Sequence, residues 1–283
     1  MNRDRAVVIT SGGLDSTILA HLIAQDYHEV HLLSFDYGQR HKKELTFASK
    51  TADRLDCDWT KVNLRGVTEL LTGSSLTDSS VTVPDGHYAE DTMKTTVVPN
   101  RNMMMLSVAI ACAVAENAKV VVAGMHAGDH FIYPDCRPEF AKLLNDAAQS
   151  GNEGFAALGF HLEFPFIHQG KDEIVKVGDR LGVPFAETWS CYKGGRKHCG
   201  TCGTCVERQE AFYLAGVEDP TEYVNSEFWK AESHEYPRID WKWIDQNQGQ
   251  MLTATVVNEY EDYPATFNTT TISLESKKRW WRR

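Results

Sequence analysis

Two stretches of the sequence combine residue types that can do chemistry, and the first is a glycine turn near the N-terminus. It follows a short apolar run and precedes an apolar pattern with helical spacing, so it joins a strand to a helix. Glycines let backbone N–H groups approach a ligand closely, and the N-terminus of a helix favours an anion. The turn therefore predicts a phosphate-binding loop made of Thr10, Ser11, Gly12, Gly13, Leu14, Asp15, Ser16 and Thr17.

This turn differs from the two best-known nucleotide-binding motifs. It contains neither the Gly-Lys-Ser/Thr of the Walker loop nor the G-x-G-x-x-G of dinucleotide-binding folds. A plain tight turn, with Asp15 or Ser16 as the N-cap of the helix, is the structural alternative. In the phosphate hypothesis, the carboxylate of Asp15 holds Mg²⁺ or orients the loop, because hard cations prefer oxygen ligands.

The second stretch holds four cysteines in the pattern C-x7-C-x2-C-x2-C, with glycines between them. Four thiolates so close together suit a tetrahedral structural site, so Zn²⁺ is predicted as a cofactor. An iron–sulfur cluster is the alternative, because the number of thiolates does not separate the two. The predicted metal ligands are Cys191, Cys199, Cys202 and Cys205.

Strand-like and helical segments alternate along the part of the chain that must position these two stretches. Short apolar runs predict strands at 5–10, 30–35, 59–64, 119–123 and 162–167. Apolar residues at helical spacing predict helices at 16–25, 42–55, 103–114, 138–148 and 171–181. This alternation predicts an α/β fold with a parallel sheet and helices on both faces. Residues 65–100 show no periodicity and are interpreted as a flexible insertion, with a lid as the alternative.

Composition and charge exclude several classes of protein. The chain has 283 residues, 42% of them hydrophobic, and a net charge of -10, so no direct nucleic-acid binding is expected. No apolar run approaches the ~20 residues of a membrane helix, so no membrane partner is expected. The clustered cysteines fit a reducing compartment, which predicts a cytoplasmic protein.

Six strings of the sequence, taken in order, resemble one family. The string SGGLDS by itself resembles the pyrophosphate-binding loop of the ATP pyrophosphatase, or PP-loop, superfamily. The whole set is similar to the 7-cyano-7-deazaguanine synthase (QueC) family and spans about residues 5–224. The strings are SGGLDST, SFDYGQRH, VPNRNMMMLS, YPDCRPEF, TWSCY and CGTCGTC.

The resemblance implies a fold and an activity. The implied fold is a Rossmann-like, doubly wound parallel sheet of the adenine nucleotide alpha hydrolase type, with a small zinc-binding part. The implied enzyme is a carbon–nitrogen ligase of queuosine biosynthesis. In this family, 7-carboxy-7-deazaguanine is activated with ATP and ammonia then makes the amide. A second activation dehydrates the amide to the nitrile, preQ0, so the expected ligands are ATP, Mg²⁺, ammonia and the carboxylate.

The matching strings contain side chains suited to these roles. The predicted catalytic residues are Asp15, Ser16, Arg101 and Asp135, with the guanidinium of Arg101 holding the carboxylate or the phosphates. Asp135 and Arg137 are expected to contact the base edge or the carboxylate. Helix capping by Arg101 or Asp135 is the structural alternative. The predicted substrate-binding residues are Tyr37, Gln39, Arg101, Asp129, Asp135 and Arg137.

Two departures from the family pattern lie beside this predicted site. His126, Gly128 and His130 stand where family members usually read more like N-A-V-D-Y, and VPNRN replaces the commoner V-P-A-R-N. They leave open an enzyme that stops at the 7-amide or transfers the activated deazaguanine to another amine. A non-catalytic, zinc-stabilised nucleotide-binding module is the alternative from another class.

Three regions are predicted along the chain: an ATP-binding domain at 1–185, a zinc-binding substrate-site segment at 186–224 and an extension at 225–283. In the extension, MLTATVVNEY and TFNTTTISLES predict a β-hairpin. A lone hairpin is marginally stable in water, so it is expected to pack on the main domain or on the second subunit of a homodimer.

Overall fold

A parallel five-stranded sheet lies at the centre of the computed structural model, which describes residues 4–233. The strands are β1 (Arg5–Ile9), β2 (Glu29–Asp36), β3 (Asp58–Asn63), β4 (Val120–Val122) and β5 (His161–Glu163). Their order is β3-β2-β1-β4-β5, and each neighbouring pair is parallel. This is the doubly wound order, with its switch point between β1 and β4, so the predicted fold class is confirmed.

Helices connect the strands and cover both faces of the sheet. Within residues 4–233 they are α1 (Leu14–Asp26), α2 (Lys43–Leu55), α3 (Arg65–Thr68), α4 (Arg101–Ala115), α5 (Pro138–Gly151), α6 (Lys171–Arg180), α7 (Gly203–Ala215) and α8 (Phe228–Ser233). Apolar residues of α4 and α5 pack on one face, and those of α1, α6 and α7 pack on the other.

The central strands are buried on both sides. In β1, Val7 packs towards α4 and α5, while Ala6 and Val8 pack towards α1 and α6. In β4, Val121 belongs to the first core, and Val120 and Val122 belong to the second. Successive side chains of a strand point to opposite faces, so a strand covered on both faces is apolar at every position. The short uninterrupted apolar runs in the sequence follow from this burial.

The last strand is shorter than the predicted 162–167. It ends at Glu163, and the chain then turns, with the backbone N–H of Ile167 donating to the carbonyl of Phe164 at 3.1 Å. Pro165 in this turn has no N–H to donate to a neighbouring strand. The apolar residues after Glu163 fill the core from a turn instead of from a strand, as the buried Phe166 shows.

Helix α7 was not predicted, because its polar residues face inward. Arg208 is only 1% exposed and lies among Glu207, Gln209 and Glu210, which are also buried. Its guanidinium donates to Asp219 at 3.2 Å and to other oxygens of the surrounding loops. A helix that buries paired polar groups has no apolar stripe, so the sequence lacks the spacing of apolar residues that predicts a helix.

The stretch 65–100 packs on the cysteine segment, in contrast to the predicted flexible insertion. It includes α3 and a short 3-10 helix at Asp91–Thr96. The N–H of Gly86 donates to the carbonyl of Thr201 at 3.0 Å, and Val83 is buried against the cysteines. Backbone and apolar contacts of this kind hold a long connection in one position even though its sequence shows no helix or strand periodicity.

The extension begins with α8, which packs on α7. Trp229 is buried, and its ring centroid lies 5.3 Å from that of Tyr213. The two segments predicted to form a hairpin, 251–260 and 266–276, lie outside the described residues. Among the helices of residues 4–233, none has both the length and the apolar character needed to cross a membrane.

Candidate active site

A cavity of about 260 Å³ opens at the carboxyl ends of β1 and β4, where doubly wound sheets bind their ligands. Its walls come from the loop after β1, the segment after β4, the start of α4 and α6, and the cysteine segment. Nine of the predicted site residues line it: Thr10, Ser11, Gly13, Leu14, Asp15, Ser16, Tyr37, Arg101 and Asp129.

The glycine turn presents unpaired donors to this cavity. Gly13 is the N-cap of α1 and no side chain caps the helix, so the plain-turn alternative with Asp15 or Ser16 as the cap is wrong. The first N–H groups of a helix have no partner inside the helix, and here they face the cavity. The hydroxyls of Ser11 and Ser16 lie beside them, 3.1 Å apart. These donors together form an anion-binding site.

Gly12 does not line the cavity but sets the path of the turn. Its φ is +86°, a conformation that residues with a Cβ rarely adopt. A Cβ at this position would also collide with the backbone carbonyl of Glu44 on α2. The turn therefore packs directly on α2, which keeps the N-terminus of α1 at the cavity. Thr17, the other loop residue away from the cavity, is buried behind it.

Five ionisable side chains meet beside the turn, and we call them the carboxyl-edge cluster: Asp15, His126, Asp129, Lys171 and Glu207. The ammonium Nζ of Lys171 lies 3.2 Å from Oδ2 of Asp15 and 2.5 Å from Oε2 of Glu207. Nε2 of His126 lies 3.5 Å from Oδ2 of Asp129 and 3.8 Å from Oδ2 of Asp15. The second oxygen of Asp15, Oδ1, is buried and has no partner among the described residues.

Burial and charge oppose each other in this cluster. Burial alone raises the pKa of Asp15, but the charges of Lys171 and His126 outweigh it, and the pKa is lowered. Burial alone lowers the pKa of Lys171, but Asp15 and Glu207 raise it above its ordinary value. Burial raises the pKa of Glu207 in spite of Lys171. Asp15 and Lys171 are therefore charged near neutral pH, and the free oxygen of Asp15 fits a hard cation such as Mg²⁺.

Arg101, the first residue of α4, lines the cavity among tyrosines. Its guanidinium lies 5.8 Å from the ring centroid of Tyr133, and Tyr37 and Tyr192 also contact it electrostatically. Burial lowers the pKa of Arg101, but these three hydroxyl groups raise it overall. Burial raises the pKa of Tyr37 to about 12. Among residues 4–233 no carboxylate forms an ion pair with Arg101, so its charge is available to an anionic ligand.

Gln39 supports this wall without lining the cavity. Its side-chain oxygen accepts from the N–H of Tyr37 at 2.9 Å, and its amide nitrogen donates to Glu44 at 3.2 Å. Glu44 does line the cavity, and burial raises its pKa to about 7 although Gln39 and Arg101 lower it. A carboxyl group with this pKa can accept or donate a proton near neutral pH.

Asp135 and Arg137 lie outside the cavity. Oδ2 of Asp135 accepts from the backbone N–H of Asn102 at 3.1 Å, so it pairs a free donor at the start of α4. The helix whose start Asp135 pairs is therefore α4 and not α5, whose N-cap is Arg137. Nε of Arg137 donates to the carbonyl of His130 at 2.9 Å. Both side chains thus hold cavity-forming segments, and neither reaches the space where a ligand would bind.

Several wall residues were missed by the sequence analysis. Lys171 begins α6, soon after β5, and the rule that ligands collect at the carboxyl ends of parallel strands would have found it. Glu207 sits in the unpredicted α7 and has no such signal. Glu44, Tyr133 and Tyr192 also line the cavity without having been predicted.

The four cysteines converge on one point beside the cavity. Their Sγ atoms all lie within 4.8 Å of one another, and those of Cys199 and Cys205 are 3.8 Å apart. A tetrahedron of thiolates with Zn–S bonds of about 2.3 Å has edges of about 3.8 Å. A four-iron cluster binds each thiolate through a different iron and needs a wider spacing. The geometry therefore fits the predicted zinc site, held by Cys191, Cys199, Cys202 and Cys205, in which the metal would fix the fold locally.

The cysteine segment is bonded directly to the glycine turn. The N–H of Trp189 donates to the carbonyl of Gly12 at 2.9 Å. Trp189, Ser190 and Tyr192 then line the cavity, immediately before and after Cys191. A metal that fixes the cysteines would therefore also fix one wall of the cavity and the back of the anion-binding turn.

Comparison with known proteins agrees with this site. A family model described as "Queuosine biosynthesis protein QueC" matches residues 5–216. The chain belongs to the QueC family. The matched range contains the glycine turn, all four cysteines and the whole cavity wall, and the predicted resemblance is confirmed.

Curated relatives also match most of the chain. A 7-cyano-7-deazaguanine synthase of Ruegeria pomeroyi is 54% identical over 227 residues, which are 80% of this chain and 97% of the relative. One from Sinorhizobium fredii is 54% identical over 232 residues, 82% of this chain and 97% of the relative. Among solved structures, an NMN synthetase from Francisella tularensis is 13% identical, with a TM-score of 0.41 over 84% of this chain and 88% of that one. The curated relatives thus match about four-fifths of this chain over nearly their whole length.

Proposed function

We propose that this member of the QueC family is a 7-cyano-7-deazaguanine synthase. It converts 7-carboxy-7-deazaguanine and ammonia to the nitrile with ATP, and so acts as a carbon–nitrogen ligase. One observation supports this most strongly. An anion-binding helix terminus and a half-buried Arg101 without a carboxylate partner line the same cavity. That arrangement suits two anionic ligands, a nucleotide triphosphate and a carboxylate, held close enough to react.

In the first step, the carboxylate oxygen of the substrate attacks the α-phosphorus of ATP. The bond to the β-phosphate breaks and pyrophosphate leaves with the electron pair. The free N–H groups of the glycine turn and the hydroxyls of Ser11 and Ser16 bind the phosphates, and Lys171 adds positive charge. Asp15 would hold Mg²⁺ through its unpaired oxygen, and the ion would neutralise phosphate charge. The product is an acyl adenylate, in which AMP is a good leaving group.

In the second step, ammonia attacks the acyl carbon. The C–N bond forms, the C–O bond to AMP breaks, AMP leaves with the electron pair, and one proton is released. A second ATP then activates the amide oxygen in the same way. Loss of AMP and two protons from that intermediate leaves the nitrile. Each nitrile therefore requires two ATP, and one set of phosphate-binding groups serves both activations.

We assign substrate contacts to three further residues of the cavity wall. Arg101 binds the carboxylate, while Tyr37 and Asp129 contact the heterocycle. Gln39 orients Tyr37, and Asp135 and Arg137 position the segments that form the cavity. Catalysis thus depends on Asp15, Ser16 and Arg101. Asp135 contributes by fixing the start of α4, where Arg101 is located.

We also propose that the three predicted regions are functional units. Residues 1–185 supply the nucleotide site, and 186–224 supply the zinc ligands and one substrate wall. The extension and the exposed Leu143, Phe155 and Leu158 favour a homodimer, because large apolar side chains at 61%, 81% and 97% exposure suit a subunit contact. Light scattering of the full chain, and of a chain ending at Ser233, tests this assembly. The requirement for reduced cysteines supports a cytoplasmic location.

The decisive experiment follows each product. The protein is incubated with 7-carboxy-7-deazaguanine, ATP, Mg²⁺ and ammonium, and pyrophosphate, AMP and the deazaguanine products are quantified. We expect substrate-dependent pyrophosphate release and two AMP per nitrile. Accumulation of the amide without nitrile would limit the enzyme to the first activation. ATP binding without pyrophosphate release would indicate a non-catalytic module.

A further inference from the structure

A second and much smaller cavity adjoins the main one, and we call it the side chamber. Its volume is about 30 Å³, and a void needs about 10–15 Å³ to hold one water molecule. It shares Asp129, Tyr133, Tyr192, Thr204 and Glu207 with the wall of the main cavity. The side chamber therefore branches from the reaction space and admits only molecules about the size of water.

The side chamber has carboxylates in its wall. Asp129 and Glu207 both line it, and Lys171 pairs with Oε2 of Glu207, which leaves Oε1 on the side of Gly128. A Cβ placed on Gly128 would stand 3.0 Å from this Oε1. The carboxylate oxygens that Lys171 does not occupy can accept hydrogen bonds from a small N–H donor in this space.

His126 lines the main cavity and places a second acceptor beside Gly128, a residue of the side-chamber wall. Its Nδ1 lies 3.1 Å from the Cβ position of Gly128, and it is buried without a partner among the described residues. The other ring nitrogen, Nε2, faces the carboxylates of Asp129 and Asp15. These acceptors favour the tautomer with the proton on Nε2, so Nδ1 presents a lone pair.

We propose that the side chamber is the ammonia subsite of the enzyme. It takes up ammonium, which is water-sized and cationic, with Glu207 and Nδ1 of His126 as hydrogen-bond acceptors. Ammonium gives one proton to water, and the nitrogen lone pair then attacks the acyl carbon in the main cavity. The C–N bond forms, AMP leaves with the electron pair of the broken C–O bond, and the second proton passes to water. This assignment rests on the proposed function, which supplies the acyl adenylate.

The size of the side chamber also determines which amine reacts. A space for one or two water-sized molecules accepts ammonia and has no room for an alkyl chain or a peptide terminus. Transfer of the activated deazaguanine to a larger amine is therefore disfavoured by the shape of the wall. The enzyme is expected to discriminate against methylamine although methylamine is the more basic nucleophile.

The first test partly fills the chamber with Gly128→Ala. Gly128 has no positive φ, so alanine is compatible with the backbone, and the new methyl group would lie against Oε1 of Glu207. AMP formation is measured against ammonium concentration at fixed pH, with ATP and the carboxylate saturating. We expect the KM for ammonium to rise about tenfold, the loss for one buried hydrogen bond to a charged ligand, with the KM for ATP unchanged. Gly151→Ala, which has open space around it, is the matched control.

The second test enlarges the chamber with Ile132→Ala. Ile132 lines only the side chamber and is 9% exposed. With methylamine in place of ammonium, we expect the variant to form the N-methyl amide, detected by mass spectrometry, much faster than the unmodified chain does. Equal use of methylamine and ammonium by the unmodified chain would overturn the proposal.

One control separates this proposal from the function on which it rests. Exchange of labelled pyrophosphate into ATP, with the carboxylate present and no ammonium, reports only the first activation. Absence of exchange in the unmodified chain would refute the proposed function. Normal exchange in Gly128→Ala together with an unchanged KM for ammonium would refute the side chamber alone.

Discussion

Two charged clusters lie at opposite ends of the same sheet and share the same residue types. The carboxyl-edge cluster lines the cavity. The other lies where the strands begin, and we call it the amino-edge cluster: Arg5, Glu29, His31, Thr60 and Glu116. Each combines a basic residue, a histidine and carboxylates. The clusters differ in how many of their polar atoms have a hydrogen-bond or ion-pair partner within the same cluster.

Polar atoms of the amino-edge cluster are paired internally. Arg5 bonds Glu29 and Glu116 at 3.0 Å each, and the ring nitrogens of His31 bond Glu116 at 2.8 Å and Thr60 at 2.9 Å. Cys112 lies nearby and completes a set of possible metal ligands, but the guanidinium already neutralises the glutamate. In the carboxyl-edge cluster, Oδ1 of Asp15 and Nδ1 of His126 remain without a partner among the described residues.

This difference indicates which cluster binds a ligand. A buried polar atom without a partner costs about 1–3 kcal/mol, so it persists in a fold when something else compensates, such as a ligand. The amino-edge cluster has no such deficit and acts as a structural clamp between β1, β2 and α4. Residue type alone would have assigned the two clusters the same role.

The largest expected effect comes from removing the metal that supports only the carboxyl edge. Cys202→Ser should abolish zinc binding and lower the melting temperature by about 10 °C or more, because metal-binding energy is folding energy here. Hydrogen exchange should increase first in the glycine turn and residues 186–224, while the amino-edge strands stay protected. Cys57→Ser, at a half-buried cysteine outside the metal set, is the control. Iron and sulfide in the purified protein would contradict the zinc assignment.

Neutralising the carboxyl edge should remove activity without unfolding the chain. Asp15→Ala and Ser16→Ala are each expected to lower substrate-dependent pyrophosphate release at least about tenfold, because both groups stabilise charge on the phosphates in the transition state. The melting temperature and circular dichroism check that the fold is retained. Unchanged rates in both variants would remove the phosphate-binding role of the turn.

Glu44 lets the cost of ionising a carboxyl group at the carboxyl edge be measured through the pH dependence of stability. Its folded-state pKa is raised to about 7 from an ordinary value of 4.5, so the folded protein holds this proton more tightly than the unfolded chain does. Stability from this group is complete below pH 4.5 and is lost as pH rises through 7. Glu44→Gln should therefore be more stable than the unmodified chain at pH 8, by about 1–3 kcal/mol, and equal to it near pH 4.5. Urea unfolding at the two pH values measures the difference.

The smallest effect is expected at the amino edge, where stability changes with pH in the opposite direction. The pKa of Glu116 is raised by burial but lowered overall by His31 and Arg5, so its stabilising contribution is present above about pH 4.5 and is lost as pH falls. Glu116→Gln should cost about 1 kcal/mol at pH 7, with the difference shrinking towards pH 4, and leave pyrophosphate release unchanged. A large loss of activity in this variant would mean that the amino edge is not only structural.

Much of the site could be predicted because its signals are local in the sequence. The glycine turn needs only a strand, a turn and a helix in succession, so the residues from Thr10 to Ser16 were found together. The cysteines lie within a single segment, and their spacing alone suggests a tetrahedral metal. The strands also followed from apolar runs, apart from the end of β5, where Pro165 turns the chain.

The pairing of the charged groups could not be predicted, because they are distant in the sequence. Lys171 and His126 follow β5 and β4, which places both at the carboxyl edge of the sheet, but nothing in the local sequence pairs them with Asp15. Glu207 comes from α7 and has no such signal. Asp135 was assigned to catalysis from its motif, whereas in the structure its carboxylate pairs the N–H of Asn102. The sequence likewise gave no reason to separate His126 from His31.

The sequence by itself determined the elements and the two ligand-binding motifs, since backbone conformation, apolar period and ligand spacing are properties of neighbouring residues. Only the tertiary structure decided which charged groups meet, which of their atoms stay unpaired, and where a water-sized chamber remains beside the reaction space. Those properties depend on packing between distant segments. A side chain becomes a ligand-binding group when the fold buries it and leaves one of its polar atoms without a partner.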